Sequence, residues 1–76
     1  MSSLNGTNLR KTRVEKGVSQ TELAERSGVA RPRIVEYETG RKDFMNATLK
    51  TARRLADALD TSIDRLLPDK PDEEKE

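Results

Sequence analysis

Apolar residues recur three and four positions apart in several short runs of this chain, and each run is followed by a break. The longest run holds Leu49, Ala52, Leu55, Ala56 and Leu59. This spacing places one apolar stripe on a helix, and Asn46 or Thr48 in front of it can supply the N-terminal cap. No segment shows the alternation of apolar and polar residues that an exposed strand requires. The pattern therefore predicts a helix that packs this stripe into the core.

Four further helices complete the predicted fold. The first covers about residues 7 to 17, and the second and third lie between residues 20 and 40. A short fifth helix follows Ser62, and the apolar residues that would close the core there are Ile63, Leu66 and Leu67. Because 76 residues can bury only one modest core, we expect a single all-α domain, a compact bundle of five helices.

The segment from Gln20 to Gly40 is the most informative part of the chain, because it predicts two short helices joined by a tight turn. Ser19 and Glu22 have the spacing of a capping box, in which each residue's side chain accepts a hydrogen bond from the other's amide. Gly28 can adopt the left-handed conformation that ends a helix, and Pro32 suits the first turn of the next helix. Such a helix-turn-helix holds its second helix where it can enter the major groove of DNA.

The outward face of that second helix carries the candidate chemistry. Ile34 and Tyr37 lie three residues apart and are predicted to face the core. The outer positions are Arg31, Pro32, Arg33 and Glu36. Arginine can donate two hydrogen bonds to guanine or pair with phosphate, and glutamate can accept from the amino group of cytosine. The alternative interpretation is that these residues are surface charges in contact only with water.

The absence of cysteine and histidine narrows the possible functions. It excludes disulfides, thiolate nucleophiles and imidazole bases, and it removes the usual zinc ligands. We therefore expect no enzymatic activity, no cofactor and no metal site. The chain contains no apolar run of the roughly 18 residues that a membrane span requires, and its first residues lack the pattern of a secretion signal. These features favour a cytoplasmic protein.

The net charge of +1 conceals an uneven distribution. Residues 68–76 carry five acidic and two basic side chains, a balance of −3, so that residues 1–67 carry +4. The bases placed where the motif would meet a phosphate backbone are Arg31, Arg33, Arg41 and Lys42. A locally basic surface is the electrostatic requirement for binding nucleic acid, whatever the total charge.

The same composition predicts the domain boundaries. Residues 1–7 form a flexible lead-in, and residues 8–67 form the folded domain, with the helix-turn-helix at 20–38. Residues 68–76, rich in proline and acidic side chains, are predicted to be a disordered acidic tail.

Taken in register, many of these residues resemble one known family. They are Leu9, Arg13, Gly17 to Gln20, Glu22 to Ala24, Ser27 to Val29, Ile34, Glu38, Gly40, Arg41, Leu55, Ala56, Ala58, Leu59, Leu66 and Leu67. The series is similar to the Cro and phage-repressor helix-turn-helix family of bacterial transcriptional regulators, also called the xenobiotic-response-element family. The resemblance covers residues 8–67. It implies a five-helix domain of the lambda-repressor-like type whose third helix enters the major groove.

Roles follow from the resemblance position by position. The base-reading positions correspond to Arg31, Pro32 and Glu36, and Arg33 corresponds to their neighbour near base or phosphate. Gln20 corresponds to a residue that binds phosphate and braces the third helix. Ser19 beside it, and Arg41 and Lys42 in the loop after the third helix, are also expected at the DNA backbone. Arg13 and Glu38 correspond to a buried ion pair that ties the first helix to the end of the third.

This chain departs from the family in several places. Pro32 cannot donate a hydrogen bond, Ala30 replaces the usual hydroxyl cap, and Asp60 replaces a helix-ending glycine. Thr12 and Arg53 stand at positions that are commonly apolar, and the loop around Phe44 and Met45 has its own sequence.

The resemblance implies a transcriptional regulator, most often a repressor, that binds a palindromic DNA operator as a homodimer through the surface around helix five. The alternative is a protein-interaction module, such as the antitoxin of a toxin-antitoxin pair or a bridging factor. The acidic tail and the pair Phe44 and Met45 would serve that function. These two residues are expected either to cover the core or to form an exposed patch for a protein partner.

Overall fold

The computed structural model describes residues 7–67, and within that range it contains helices and no strand. The elements are α1 (Thr7–Glu15), α2 (Gln20–Ser27), α3 (Arg31–Thr39), a 3-10 turn (Phe44–Asn46), α4 (Leu49–Ala58) and α5 (Ile63–Leu66). The prediction of an all-α fold of five helices is confirmed. The lead-in and the acidic tail lie outside the described residues, apart from Thr7 at the start of α1.

A single apolar core joins these helices. Its buried members are Leu9, Val18, Leu23, Val29, Ile34, Tyr37, Phe44, Ala52, Leu55, Ala56, Leu59 and Leu66. Helix α2 packs on α3 and α4, α1 packs on α3 and α5, and α4 packs on α5. The only two aromatic rings of the chain meet edge to face, because Tyr37 and Phe44 have centroids 5.2 Å apart with their planes at 80°. No helix in residues 7–67 is long and apolar enough to cross a membrane.

Helix α4 begins one residue after its cap, Thr48, whose hydroxyl accepts from the Thr51 amide at 3.1 Å. The predicted stripe is buried from Ala52 onward, but the prediction that Leu49 belongs to it is wrong, because Leu49 is 71% exposed. Leu49 is the first residue of the helix, and the preceding 3-10 turn contributes the buried Phe44 at this end of the core instead.

Phe44 and Met45, which are adjacent in the sequence, have different environments. Phe44 is fully buried against Tyr37, whereas Met45 is 59% exposed. Asp43 caps the 3-10 turn that contains both residues, since its carboxylate accepts from the Met45 amide at 2.9 Å. The core prediction therefore holds for Phe44, and the exposed prediction holds for Met45.

The chain reverses after α4 at Asp60, which has a φ of 56°. A glycine would adopt this left-handed conformation readily, and the resemblance implies a helix-ending glycine at this position. Aspartate tolerates it better than most residues, since its short polar side chain can interact locally with the backbone. Ser62 then precedes α5, although its hydroxyl makes no capping hydrogen bond.

Candidate nucleic-acid interface

The capping box fixes the start of α2. Ser19 Oγ accepts from the Glu22 amide at 3.0 Å, and Glu22 Oε1 accepts from the Ser19 amide at 3.1 Å. Val18, the residue before the cap, and Leu23 in the first turn are both buried. Two amides at the helix start are thus satisfied reciprocally, so the entry of the chain into α2 has one defined geometry.

Three residues, 28 to 30, join α2 to α3. Gly28 has a φ of 75° and donates its amide to Ala24 O at 2.9 Å, which closes α2. Ser27 Oγ accepts from the Val29 amide at 3.1 Å, and Val29 is buried beneath the turn. The turn is therefore fixed by its own hydrogen bonds and by one buried side chain. This geometry sets the direction in which α3 leaves the domain.

Helix α3 presents its start to solvent. Arg31, Pro32 and Arg33 are all exposed, while Ile34 is fully buried and anchors the helix to the core. Glu36, also assigned to base reading, is half-buried. Ala30 supplies no side-chain cap, so the first amides of the helix have no side-chain partner. Within the part of the chain described, neither Arg31 nor Arg33 forms an ion pair.

Arg13 and Glu38 form a nearly buried ion pair at the other end of α3. Arg13 Nε donates to Glu38 Oε2 at 2.7 Å and Arg13 Nη2 donates to Oε1 at 3.1 Å, while Nη1 donates to Val18 O at 2.8 Å. The exposed fractions of the two side chains are 12% and 2%. A two-pronged, charge-assisted pair of this kind holds α1, the cap of α2 and the end of α3 together.

Gln20 connects this pair to the exposed start of α3. Its Nε2 donates to Glu38 Oε1 at 3.0 Å, and its Oε1 lies 3.5 Å from Arg31 Nη2, at the long end of hydrogen bonding. Because a carboxylate only accepts, Glu38 fixes which end of the amide faces inward. Gln20 therefore directs its oxygen toward the guanidinium of Arg31.

Two further cations lie in the loop after α3. Arg41 and Lys42 are exposed, and the Lys42 amide donates to Glu36 O at 3.1 Å, so that the loop folds back along the helix. Together with Arg33 they line a pocket of about 480 Å³ at the surface.

The sequence did not identify several other residues of this pocket. They are Tyr37, Asp43, Asn46, Thr48 and Thr51. Tyr37 was assigned to the core from its spacing, and the other four lie in or near a loop whose path no periodicity specifies. The one signal available was that Asn46 and Thr48 are capping residues, which predicts a helix start but not what faces it.

The described residues therefore bring together a rigid turn, an exposed helix start and a set of cations without anionic partners. They contain no cluster of three potential metal-ligating side chains from His, Cys, Asp and Glu. A family model described as helix-turn-helix matches residues 9–66. The chain belongs to this helix-turn-helix family. The resemblance inferred from the sequence is thereby confirmed.

Several of the similar proteins are described as transcriptional regulators. A candidate HTH-type transcriptional regulatory protein of Methanocella arvoryzae is 42% identical over 60 residues, which is 79% of this chain. This chain spans only 17% of the length of that relative.

Two solved structures share the fold over most of their length. The restriction-modification controller protein C.AhdI of Aeromonas hydrophila has 37% identity and a TM-score of 0.73, with 82% of this chain and 89% of that chain covered. SinR, the master regulator for biofilm formation, solved in complex with DNA, has 31% identity and a TM-score of 0.73, with 80% of this chain and 94% of that chain covered. The N-terminal DNA-binding domain of SinR comes from Bacillus subtilis.

Proposed function

We propose that this chain binds double-stranded DNA in a sequence-specific manner, with α3 in the major groove, and regulates transcription as a repressor. The observation that carries the proposal is the exposed start of α3. It is held by a rigid three-residue turn and carries two arginines that have no ion-pair partner in residues 7–67. The similarity to regulators, one of them solved on DNA, supports the same function.

Base reading falls to the outward residues of α3. Arg31 and Arg33 offer paired donors to guanine, and Glu36 offers an acceptor to cytosine. Pro32 has no amide hydrogen and is exposed, so it supplies an apolar contact suited to a thymine methyl group. We assign the main discrimination to Arg31, whose guanidinium lies 3.5 Å from the amide oxygen of Gln20.

The DNA backbone is assigned to four residues around the motif. Ser19 uses its oxygen to cap α2, so its hydroxyl proton remains free to donate to a phosphate. Gln20 has a second amide proton beyond the one given to Glu38. Arg41 and Lys42 supply charge, and each phosphate that they neutralise would release counterions on binding.

We further propose a homodimer on a palindromic operator. One recognition helix contacts few bases, whereas two helices separated by one turn of DNA, about 34 Å, double the contacts. The surface around α5 and the preceding loop is assigned to the dimer contact. A shallow groove of about 280 Å³ lies there, with the half-buried Ile63 in its lining.

Selection of bound sites from a random duplex library tests the proposal and gives the target, its symmetry and its half-site spacing together. We expect the selected duplexes to share one palindromic site. The logarithm of the association constant should fall by roughly 0.9 per log unit of salt for each phosphate neutralised. Failure to enrich any site, with no salt-dependent binding of duplex DNA, would refute DNA binding. Enrichment of an asymmetric half-site would refute only the dimer.

The interaction-module alternative is not favoured, because the family model and the regulators among the similar proteins support DNA binding instead. The structure also divides the apolar pair on which it depended. Phe44 is part of the core, so of that pair only Met45 remains exposed to a protein partner.

A further inference from the structure

The outward side of α3 can be located from the residues that the helix buries. Its buried positions are Ile34, Tyr37 and Glu38. With about 100° between successive residues, the opposite side of the helix passes through Pro32 and Glu36, and it ends at Thr39. Arg31 and Arg33 lie on the two flanks of this side. The Thr39 hydroxyl is already used, because it donates to Val35 O at 2.9 Å. Pro32 and Glu36 are therefore the residues of α3 that face most directly away from the core with unused chemistry.

These two residues combine an apolar surface with a hydrogen-bond acceptor. Pro32 is exposed in the first turn of α3 and has no amide hydrogen. Glu36 is half-buried, and its carboxylate has no hydrogen-bond or ion-pair partner in residues 7–67. Because no buried side-chain oxygen in that range lacks a partner, the carboxylate is open to solvent.

The spacing of the two residues brings them to one place on the helix surface. Residues four positions apart are neighbours on a helix, with Cβ atoms about 5 to 6 Å apart. Side chains also lean toward the N-terminus of their helix, so the longer side chain of Glu36 reaches back toward the ring of Pro32. The pair can therefore contact one base together.

Taken separately, the ring suits a thymine methyl group and the carboxylate suits the amino group of cytosine. Thymine offers the methyl group beside its O4 acceptor, which a carboxylate repels, and cytosine offers the N4 donor without a methyl group. In 5-methylcytosine the C5 methyl group stands next to the N4 donor. N4-methylcytosine and N6-methyladenine do not fit, because their one remaining amino hydrogen is used in the base pair. Among the common bases and their methylated forms, 5-methylcytosine alone matches both residues.

We propose that α3 reads 5-methylcytosine in duplex DNA, with Pro32 against the C5 methyl group and Glu36 accepting from the N4 amino group. The inference rests on the proposed DNA binding and names the base that the outward side of the helix prefers. Arg31 and Arg33 remain available to guanines from the flanks. Methylation of the operator then strengthens binding.

The first test uses the parent protein. Two random duplex libraries are selected in parallel, one made with cytosine and one with 5-methylcytosine, and each cytosine of the enriched site is then exchanged singly. Fluorescence anisotropy should show one position per half-site at which 5-methylcytosine binds about fourfold more tightly than cytosine, the effect of one buried methyl group. Thymine paired with adenine at that position should bind roughly tenfold more weakly than 5-methylcytosine. N4-methylcytosine should bind no more tightly than cytosine.

Two variants separate the two contacts. Pro32→Ser replaces the apolar ring with a small polar side chain and should bind cytosine and 5-methylcytosine equally. Glu36→Gln should keep the preference for the methyl group but lose the penalty for thymine, because an amide can donate to O4 as well as accept from N4. Glu25→Gln is the matched control, since it removes the same charge from an exposed residue of α2 that forms no ion pair in residues 7–67. It should retain every base preference of the parent protein.

Equal affinity for cytosine and 5-methylcytosine at every position would overturn the inference. It would also be overturned if replacing a thymine of the site with uracil weakened the parent protein but not Pro32→Ser, because the ring would then contact a neighbouring thymine. If Pro32→Ser lacks a cooperative thermal transition, the base series on the parent protein and on Glu36→Gln decides. Failure of both libraries to enrich a site would refute the proposed DNA binding as well. An enriched site without a methylation effect would refute this inference alone.

Discussion

Arg13 and the cations around α3 have similar chemistry but opposite environments. Arg13 directs three of its nitrogens at protein acceptors, two on Glu38 and one on Val18 O, and its side chain is 12% exposed. Arg33, Arg41 and Lys42 are exposed and form no ion pair within residues 7–67. The fold therefore uses one guanidinium to join three elements and leaves the other cations exposed. Burial, and not residue type, separates the structural charge from the charges that we propose bind DNA.

This difference has an energetic basis. A buried charge that loses its partner retains its desolvation cost, whereas an exposed charge loses little when a neighbour changes. Changes at the Arg13 pair should therefore affect the free energy of unfolding, and changes at the exposed cations should affect binding alone. Four substitutions test whether the two groups separate in this way.

The largest effect is expected from Glu38→Ala, which leaves the guanidinium of Arg13 without a countercharge. We expect a loss of about 3 kcal/mol in the free energy of unfolding, measured by urea denaturation. Against a typical domain stability of about 5 to 15 kcal/mol, this is a large fraction. The double variant Arg13→Met with Glu38→Leu is the control and should recover most of the loss. Equal losses in the single and double variants would show that the pair contributes through shape and not through charge.

Arg31→Ala should change specificity and not stability. Arg31 is exposed, and its one contact in the described part of the chain is the 3.5 Å approach to Gln20. Loss of a paired contact to guanine reduces discrimination by about 1 to 3 kcal/mol. Competition binding with single-base variants of the selected site should show relaxed preference at one position per half-site. A uniform loss at every position would reassign Arg31 to the backbone.

Lys42→Ala should weaken all sequences alike. If Lys42 neutralises one phosphate, its loss flattens the slope of log K against log salt by about 1, and at 0.1 M salt the affinity falls roughly tenfold. Anisotropy titrations at four salt concentrations measure both quantities. Lys50→Ala removes another exposed lysine, outside the lining of the pocket, and serves as the control. Equal effects of the two substitutions would indicate a diffuse electrostatic contribution.

Local rules predicted the parts of this site that depend on neighbours in the chain. The capping box, the end of α2 at Gly28 and the start of α3 depend on residues within one helical turn of each other, so the sequence determines them. Leu49 shows the limit of periodicity, which assigns a face but not whether that part of the helix meets a partner. Tyr37 shows a second limit, because spacing placed its ring in the core and could not show that the residue also lines the pocket.

The pocket itself could not be predicted from the sequence. It forms where a loop after Gly40 folds back on α3 and the start of α4 comes alongside, and these contacts join residues far apart in the chain. The link from Arg13 through Glu38 and Gln20 to Arg31 is of the same kind. The resemblance implied its first members, but the orientation of the Gln20 amide depends on the position of a carboxylate 18 residues away.

Ser19 belongs to both groups, because it caps α2 and is also assigned to the DNA backbone. Ser19→Ala should cost about 1 kcal/mol of stability through the lost cap, the smallest of these effects. Ser19→Asp separates the roles, since aspartate caps a helix as well as serine does, whereas its negative charge would repel a phosphate. We therefore expect Ser19→Asp to keep the parental midpoint of urea denaturation and to bind the selected duplex more weakly than Ser19→Ala. If Ser19→Asp binds DNA as the parent does, the hydroxyl faces no phosphate and Ser19 is a cap alone.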